Sequence, residues 1–320
     1  MNKKQLLSIG LMLSLAQTGR AQELFPNTEP ASNIPKGTLG IRLMSEFYKE
    51  SNQLRNFNGL RLMYGLTPKL SVYLTAASSN HHKEKLPEEF PYHNTPERGV
   101  YKPYKFNGFS LYAKYRFLTR DRTNEHLRMA AYAEASAVNT AHDEGEPRLM
   151  DDTKGVGFGL ISTYLKNKFA VSLTAGVILP GKFSGVQVDP IAGLPDIPTT
   201  VKYPTTINYS LSFGYLVYPR TYRSYKQPNI NLYCEFMGKY YGDVRVWLTP
   251  YNAPEYEIRT SYFPKALQAG FYVDIVPGVQ LILNSNTRID FSTQLQFVKL
   301  SYARLYPQFN IGLQHYLYWK

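Results

Sequence analysis

The sequence predicts an all-β protein, namely a transmembrane antiparallel up-and-down β-barrel of about 12 strands. Three observations support this fold: apolar and polar residues alternate in many segments, the number of such segments is even, and the connections are mostly short after one strand and long after the next. Alternation with a period of two residues places one set of side chains on each face of a strand. Short turns at one end and long loops at the other are typical of outer-membrane barrels.

Residues 1–21 have the features of a secretory signal peptide. Two lysines precede an apolar run over 6–16, and small residues at 19 and 21 stand before the predicted cleavage site at Gln22. The alternative, a membrane anchor, is weaker because the run is too short to span a bilayer. Residues 22–36 contain three prolines and are predicted to form an extended N-terminal segment, which either hangs free or enters the lumen.

Residues 37–320 are predicted to form the barrel as one domain. The clearest hairpin runs from 266 to 298, where Phe271, Val273 and Ile275 share one face and Tyr272 and Asp274 share the other. A polar turn at 284–287 joins its two strands. The twelve alternating segments are 37–48, 56–66, 69–79, 105–118, 126–139, 154–165, 168–180, 205–218, 228–241, 266–283, 287–298 and 308–319.

The lengths of the connections place both termini at the same end of the barrel. Five joints are short, and four connections, 80–104, 140–153, 181–204 and 242–265, are long. Because the short joints correspond to periplasmic turns in outer-membrane barrels, we expect both termini on the periplasmic side. Aromatic residues concentrate near these short joints, where an interface girdle is expected; they are Tyr64, Tyr115, Phe117, Tyr164, Phe169, Tyr215 and Trp319.

Composition narrows the class of protein. No later run of about 18 apolar residues predicts a transmembrane helix, and the single cysteine, Cys234, rules out an intrachain disulfide framework. The formal charge of +12, or +9 without residues 1–21, is scattered along the chain and lacks a basic stripe, so nucleic acid is not a predicted partner. The predicted partners are outer-membrane lipid and a small-molecule solute, with no cofactor and no prediction of oligomeric state.

Two stretches and the last strand resemble a known group of proteins. Residues 64–72 (YGLTPKLSV) and 277–292 (PGVQLILNSNTRIDFS) resemble Gram-negative outer-membrane barrel transporters of the phenol-degradation MetA-pathway type. The strand 308–319 resembles the C-terminal assembly signal of outer-membrane proteins, although it ends in lysine and carries His315 on its apolar face. The resemblance implies location in the outer membrane and passage of small, often hydrophobic molecules.

If the apolar faces meet lipid, the opposite faces line a lumen. Seven basic and five acidic side chains there predict a mild preference for anions. Twelve strands lie between the eight that side chains fill and the 16 to 18 that leave a channel, so constricted or gated passage and a packed interior both remain open. The predicted lumen residues are Arg42, Glu46, Arg61, Lys114, Arg116, Arg128, Glu134, Glu235, Lys239, Asp274, Arg288 and Asp290.

The function predicted from these features is a passive channel or transporter for a small hydrophobic or anionic solute. A non-transporting scaffold or surface complex is an alternative. A barrel lipid hydrolase is a weaker one, because no histidine is followed two places on by serine, which leaves His315 with a partner from another strand as the candidate. No catalytic residue is predicted.

Two groups of loop residues complete the sequence-based expectations. The apolar stretches 180–204 and 243–263 either fold over the mouth or extend as strands that pack on one another. The histidines at 81, 82 and 93 lie beside glutamates in the first long loop, but their spacing matches no known metal-ligand pattern, so no metal site is predicted.

Overall fold

The computed structural model describes residues 24–50, 53–80, 103–138, 153–187, 193–221, 224, 226–258, 269–299 and 306–318. Within these ranges twelve strands form a closed antiparallel barrel, which confirms the predicted fold class. The barrel strands are β1 (Thr38–Glu50), β2 (Gln53–Gly65), β3 (Leu70–Ser79), β4 (Lys105–Arg122), β5 (Glu125–Ser136), β6 (Gly155–Lys166), β7 (Phe169–Pro180), β10 (Thr206–Tyr218), β11 (Asn229–Tyr241), β14 (Gly270–Leu283), β15 (Thr287–Lys299) and β16 (Gln308–Tyr318). None of the described residues belongs to a helix with the length and hydropathy that a membrane span requires.

Strand order follows chain order, and β1 pairs with β16 to close the wall. Closure leaves no strand edge exposed, so the backbone N–H and C=O groups of each strand face a neighbouring strand. This is required in a bilayer, where no water is present to bond them. Each segment counted in the sequence corresponds to one barrel strand. The largest difference in boundary is that β4 continues to Arg122 instead of 118, and the predicted start of the tenth strand at 266 lies outside the described residues.

The outer wall is apolar and the inner wall is polar. Leu43, Leu60, Leu62, Leu160 and Leu173 are between 40% and 54% exposed on the outside. An apolar surface that extends around the whole wall is far larger than soluble monomers expose, so it faces lipid. The charged side chains buried to 4% exposure or less include Arg42, Lys114, Glu235, Asp274 and Arg288.

The short turns rely on residues that tolerate a left-handed backbone. Asn124, Asn167 and Asn284 have φ between 50° and 59°, and they connect β4 to β5, β6 to β7 and β14 to β15. Asparagine adopts this conformation at lower cost than most residues, which fits it to tight hairpins. Tyr64 and Tyr215, which are 41% and 50% exposed beside the short turns, lie on the outer wall as the predicted girdle requires.

Four shorter strands form a second sheet beyond the long-loop ends of β7, β10 and β11. They are β8 (Lys182–Gln187), β9 (Ile197–Lys202), β12 (Arg245–Leu248) and β13 (Tyr256–Ile258), in the order β13-β12-β9-β8. One face of this sheet has its own apolar core. The described parts of the two apolar stretches therefore pack on one another as strands, one of the two arrangements considered above. The core residues are Phe183, Val201, Tyr203, Val244 and Val246, with Ile258 against them.

Candidate functional site

The lumen contains the N-terminal segment, here defined as residues 24–36. It starts near the short-turn end, where Leu24 and Phe25 pack with Tyr233 of β11 and Ala170 of β7. It ends at the same end, where the N–H of Gly37 donates to the carbonyl of Gly65, the last residue of β2 (2.8 Å). The segment is thus a loop that enters the barrel from the short-turn end and returns to it, and its apolar residues anchor its two ends.

The middle of the segment is held by one wall of the barrel through Glu235 on β11. Both oxygens of this fully buried carboxylate accept hydrogen bonds from backbone N–H groups, one from Asn27 (3.2 Å) and one from Thr28 (3.1 Å). The hydroxyl of Thr28 donates to the same carboxylate (3.0 Å) and lies 2.8 Å from the hydroxyl of Ser212 on β10. Three hydrogen bonds to one buried carboxyl group fix the height of the segment.

The next residue reaches the opposite wall. Glu29 pairs with Arg61 on β2 (2.8 Å) and with Lys114 on β4 (3.5 Å), and the Lys114 ammonium also donates to the carbonyl of Pro30 (2.6 Å). In the closed strand order β2 and β4 flank β3, which stands opposite β11. The contacts of two neighbouring residues, Thr28 and Glu29, therefore tie the segment to opposite walls of the lumen.

The descending part of the segment uses lumen side chains as hydrogen-bond partners for its backbone. The N–H of Ala31 donates to the Thr163 hydroxyl (2.8 Å) and the N–H of Ile34 to the Ser71 hydroxyl (3.1 Å). Buried backbone groups need partners. A proline-rich extended chain makes no ladder of its own, so hydroxyl-bearing inward positions on β3 and β6 supply them.

A cavity of about 300 Å³ lies inside the barrel next to the segment. Pro26 to Glu29 form one side of it, and most of its other lining residues lie in the halves of the strands nearest the long connections. The size is at the lower end of the range for small-molecule sites. Seven of the predicted lumen residues line it: Arg42, Glu46, Arg61, Glu134, Lys239, Asp274 and Asp290.

The other five predicted lumen residues lie apart from the cavity and hold other parts of the structure. Lys114 and Glu235 bind the N-terminal segment, as described above. Arg116 donates to the carbonyl of Pro68 in the β2–β3 turn (3.0 Å). Arg128 contacts Ser32 (3.0 Å) and Asp121 (3.3 Å), and the guanidinium of Arg288 lies 4.9 Å from the ring centre of Tyr316.

Five tyrosines and Glu29 also line the cavity but were not among the predicted site residues. Rings of Tyr112 and Tyr132 stack with centroids 5.3 Å apart, and Asn208 donates to the Tyr132 hydroxyl (3.0 Å). Their inward orientation follows from the same alternation that placed the charges, so a count of inward aromatics would have found them. The tyrosines are Tyr112, Tyr132, Tyr209, Tyr233 and Tyr272.

A groove on the outer wall lies against the cavity between β16, β1, β2 and β3. Ser45 of β1 and its register partner Ile311 of β16 line both the groove and the cavity, as does Met44. The wall is thin here because Ala76 gives the groove side little side-chain cover and Gly59 leaves the lumen side without a side chain next to Met44 and Phe57. Asn58 and Ser78 add polar groups to this otherwise apolar face.

His315, the weak candidate for catalysis, lies on the outer wall near the β14–β15 turn. Its Nδ1 is 2.8 Å from the hydroxyl of Thr287, its register partner on β15. The same hydroxyl donates to the Asn286 side chain (3.3 Å). The contact joins two strands beside a turn. No group of three or more His, Cys, Asp or Glu side chains within the described ranges is placed to hold a metal ion, and the histidines at 81, 82 and 93 fall outside those ranges.

Comparison with solved structures shows the fold. An outer membrane channel from Pseudomonas putida F1 aligns with a TM-score of 0.51 and 12% identity, over 92% of this chain and 100% of that one. The toluene transporter TbuX of Ralstonia pickettii aligns with a TM-score of 0.37 and 13% identity, over 93% of this chain and 95% of that one. Outer membrane phospholipase A of Escherichia coli aligns with a TM-score of 0.34 and 8% identity, over 92% of this chain and 94% of that one. No protein-family model and no curated protein matches the sequence. The fold of this chain is that of a Gram-negative outer-membrane β-barrel.

Proposed function

We propose that this protein is a passive outer-membrane channel for a small solute, in which the N-terminal segment forms the constriction. One observation carries the proposal: a cavity of about 300 Å³ inside the closed barrel is bounded by Pro26 to Glu29 of that segment. The segment is held by side-chain contacts to opposite walls and takes no part in the barrel's ladder. Such contacts can be broken without unfolding the barrel.

The proposal includes the route to the membrane. Residues 1–21 act as a cleaved signal peptide, and the chain inserts into the outer membrane with its long connections outside. The twelve charged residues predicted for the lumen divide between a solute path and supports for the constriction. The seven that line the cavity form the path, and Lys114 and Glu235 hold the constriction in place.

The groove supports an apolar part in the solute. Because Met44, Ser45 and Ile311 line both spaces, the cavity is separated from the lipid side at this point only by the paired strands β1 and β16. An apolar solute gains free energy on moving from a polar lumen to lipid. We infer that this thin wall is where apolar solutes leave the lumen.

A disulfide lock tests the channel. The hydroxyls of Thr28 and Ser212 are 2.8 Å apart, so a Thr28→Cys, Ser212→Cys pair is placed to form a bond; Cys234→Ser removes the native thiol from the background. In planar bilayers we expect lower conductance when the pair is oxidised than when it is reduced. Each single cysteine variant serves as the control and should not respond to reductant.

A chain that lacks residues 24–35 completes the test. Without the constriction, we expect a larger unit conductance than in the full chain. If the full chain, the reduced double-cysteine variant and the shortened chain are all silent in bilayers while correctly folded in detergent, the channel proposal is wrong and the scaffold alternative is favoured.

A further inference from the structure

The β4–β5 hairpin carries two arginines on its outer face because of an irregularity in β4. The register of β4 with β5 shifts by one residue between Arg116 and Leu118. Such a shift turns every later side chain of the strand to the opposite face from the one that simple alternation predicts. Alternation alone would place Arg120 and Arg122 in the lumen, and the shift places them on the outside.

Contacts inside the barrel agree with this orientation. Arg128 of β5 donates to the Ser32 hydroxyl of the N-terminal segment (3.0 Å), so it points inward. Its neighbour Leu127, which is the register partner of Arg120, therefore points outward. Asp121 pairs with Arg128 (3.3 Å), which keeps this carboxylate on the inner side. The hairpin thus separates its charges, with an acid inside and two bases outside.

Lys166, the last residue of β6, adds a third positive charge to this face. Its register partner on β7 is Phe169, which is 43% exposed on the outer wall. Glu125 is the carboxylate that lies between Lys166 and Arg122 in the ladder. It accepts a hydrogen bond from the Tyr164 hydroxyl (3.2 Å). Three bases and one acid leave two net positive charges on this part of the outer face.

The basic face, here defined as Arg120, Arg122 and Lys166, has no partner within the part of the chain that the structure describes. All three residues are exposed, and none of their side chains has an ion pair or hydrogen bond there. The described residues of the other four short turns contain no carboxylate, and their bases are Lys69, Lys168, Arg220 and Lys226. The short-turn end is therefore a positively charged surface.

The basic face continues directly into the lipid-facing wall. Tyr115 and Phe117 of β4 are 49% and 45% exposed on the outer wall just before the hairpin end. Exposed aromatic residues at the end of a barrel wall mark the membrane interface, where lipid headgroups lie. Guanidinium and ammonium groups at this level meet headgroup phosphates, and an anionic lipid surface attracts them.

We infer that the basic face binds an anionic phospholipid from the leaflet on the short-turn side. The bases hold the phosphate, and the acyl chains lie along the apolar wall beside Tyr115 and Phe169. A zwitterionic lipid brings a cation of its own next to the bases, so it gains less than a lipid with net negative charge. This binding site goes beyond the channel function, since it uses only the outer wall.

Native mass spectrometry tests the inference. The full chain is released from detergent micelles that contain equal amounts of phosphatidylglycerol and phosphatidylcholine, and the lipids that stay bound are counted. We expect phosphatidylglycerol to exceed phosphatidylcholine about tenfold or more. Arg120→Gln and Lys166→Gln should each lower this ratio about fivefold, the contribution of one basic side chain near an anionic lipid surface. Lys202→Gln removes the same charge from β9 of the second sheet and, as the matched control, should keep the ratio.

Two further measurements separate lipid binding from its alternatives. Arg120→Lys keeps the charge and should keep the ratio, whereas a loss caused by altered folding would not be rescued in this way. An excess of inorganic phosphate should leave the lipid bound, because free phosphate gains nothing from the apolar wall.

Equal retention of the two lipids by the full chain overturns the inference. Displacement of the lipid by inorganic phosphate also overturns it, and so does a ratio that survives both glutamine substitutions. None of these measurements involves conductance, so their failure leaves the channel proposal standing, and a folded chain without conductance leaves the lipid site standing.

Discussion

Replacing Glu235 with glutamine tests whether this carboxylate keeps the N-terminal segment seated. It accepts three hydrogen bonds, two from Thr28 and one from Asn27, at 3.0 to 3.2 Å. Glutamine keeps one oxygen, which can still accept from Thr28, but it places an NH₂ donor opposite the backbone N–H of Asn27. One bond is therefore lost, and the backbone N–H of Asn27 faces a donor instead of an acceptor.

The size of the effect follows from these bonds. Leaving a buried donor without an acceptor costs about 1–3 kcal/mol, so the expected cost is about 2 kcal/mol. The ratio of displaced to seated segment should rise about 30-fold, because 1.4 kcal/mol corresponds to a factor of ten.

Single-channel recording measures this ratio as open probability at a fixed voltage. We expect Glu235→Gln to open about 30-fold more often than the parent chain at the same unit conductance. Glu125→Gln is the matched control, since Glu125 lies beside the β4–β5 turn, where its carboxylate accepts from Tyr164 (3.2 Å). Equal open probabilities in Glu235→Gln and the parent chain would refute the role assigned to this carboxylate.

Three further predictions concern other parts of the molecule. Two hydrogen bonds from Arg245 (2.7 Å each) lower the pKa of Glu257. This pair therefore stabilises the second sheet at pH values above the pKa of Glu257 in the unfolded chain, and the stabilisation is lost as the pH falls through the pKa of Glu257 in the folded protein. In Arg245→Ala, an NMR titration should show a higher pKa for Glu257. His315→Ala should cost about 1 kcal/mol in urea unfolding through loss of its hydrogen bond to Thr287, whereas loss of a measurable phospholipase activity would revive the hydrolase alternative. Ala76→Trp, which fills the outer groove, should slow toluene uptake into liposomes, and unchanged uptake would contradict the proposed exit.

The barrel could be predicted from the sequence because its rule is local. Alternation in a strand such as β4 places Leu111 outside and Lys114 inside whatever the rest of the chain does. The partner of Lys114 could not be predicted in this way. Its ammonium meets the carbonyl of Pro30, 84 residues away, in a segment without periodicity.

The second sheet was one of the two arrangements that the sequence left open, but its strands could not be located from the sequence. Strands β8, β9, β12 and β13 have between three and six residues, so their alternation is too short to detect. Which of the inward charges line the cavity could not be predicted either, because a count along the chain leaves out their position along the barrel axis. Arg116, Arg128 and Arg288 contribute to that count but lie toward the short turns.

The path of the N-terminal segment determines how it can be displaced. Leu24, whose carbonyl accepts from Asn231 near the start of β11 (3.1 Å), and Gly37, at the start of β1, lie at the same end of the barrel. Because both ends of the loop lie at this end, the loop can withdraw from the lumen without any part of the chain passing through the pore. Tension applied to the chain just upstream of Leu24 would therefore act directly on the constriction, which makes this end the place where a mechanical pull could be converted into permeability.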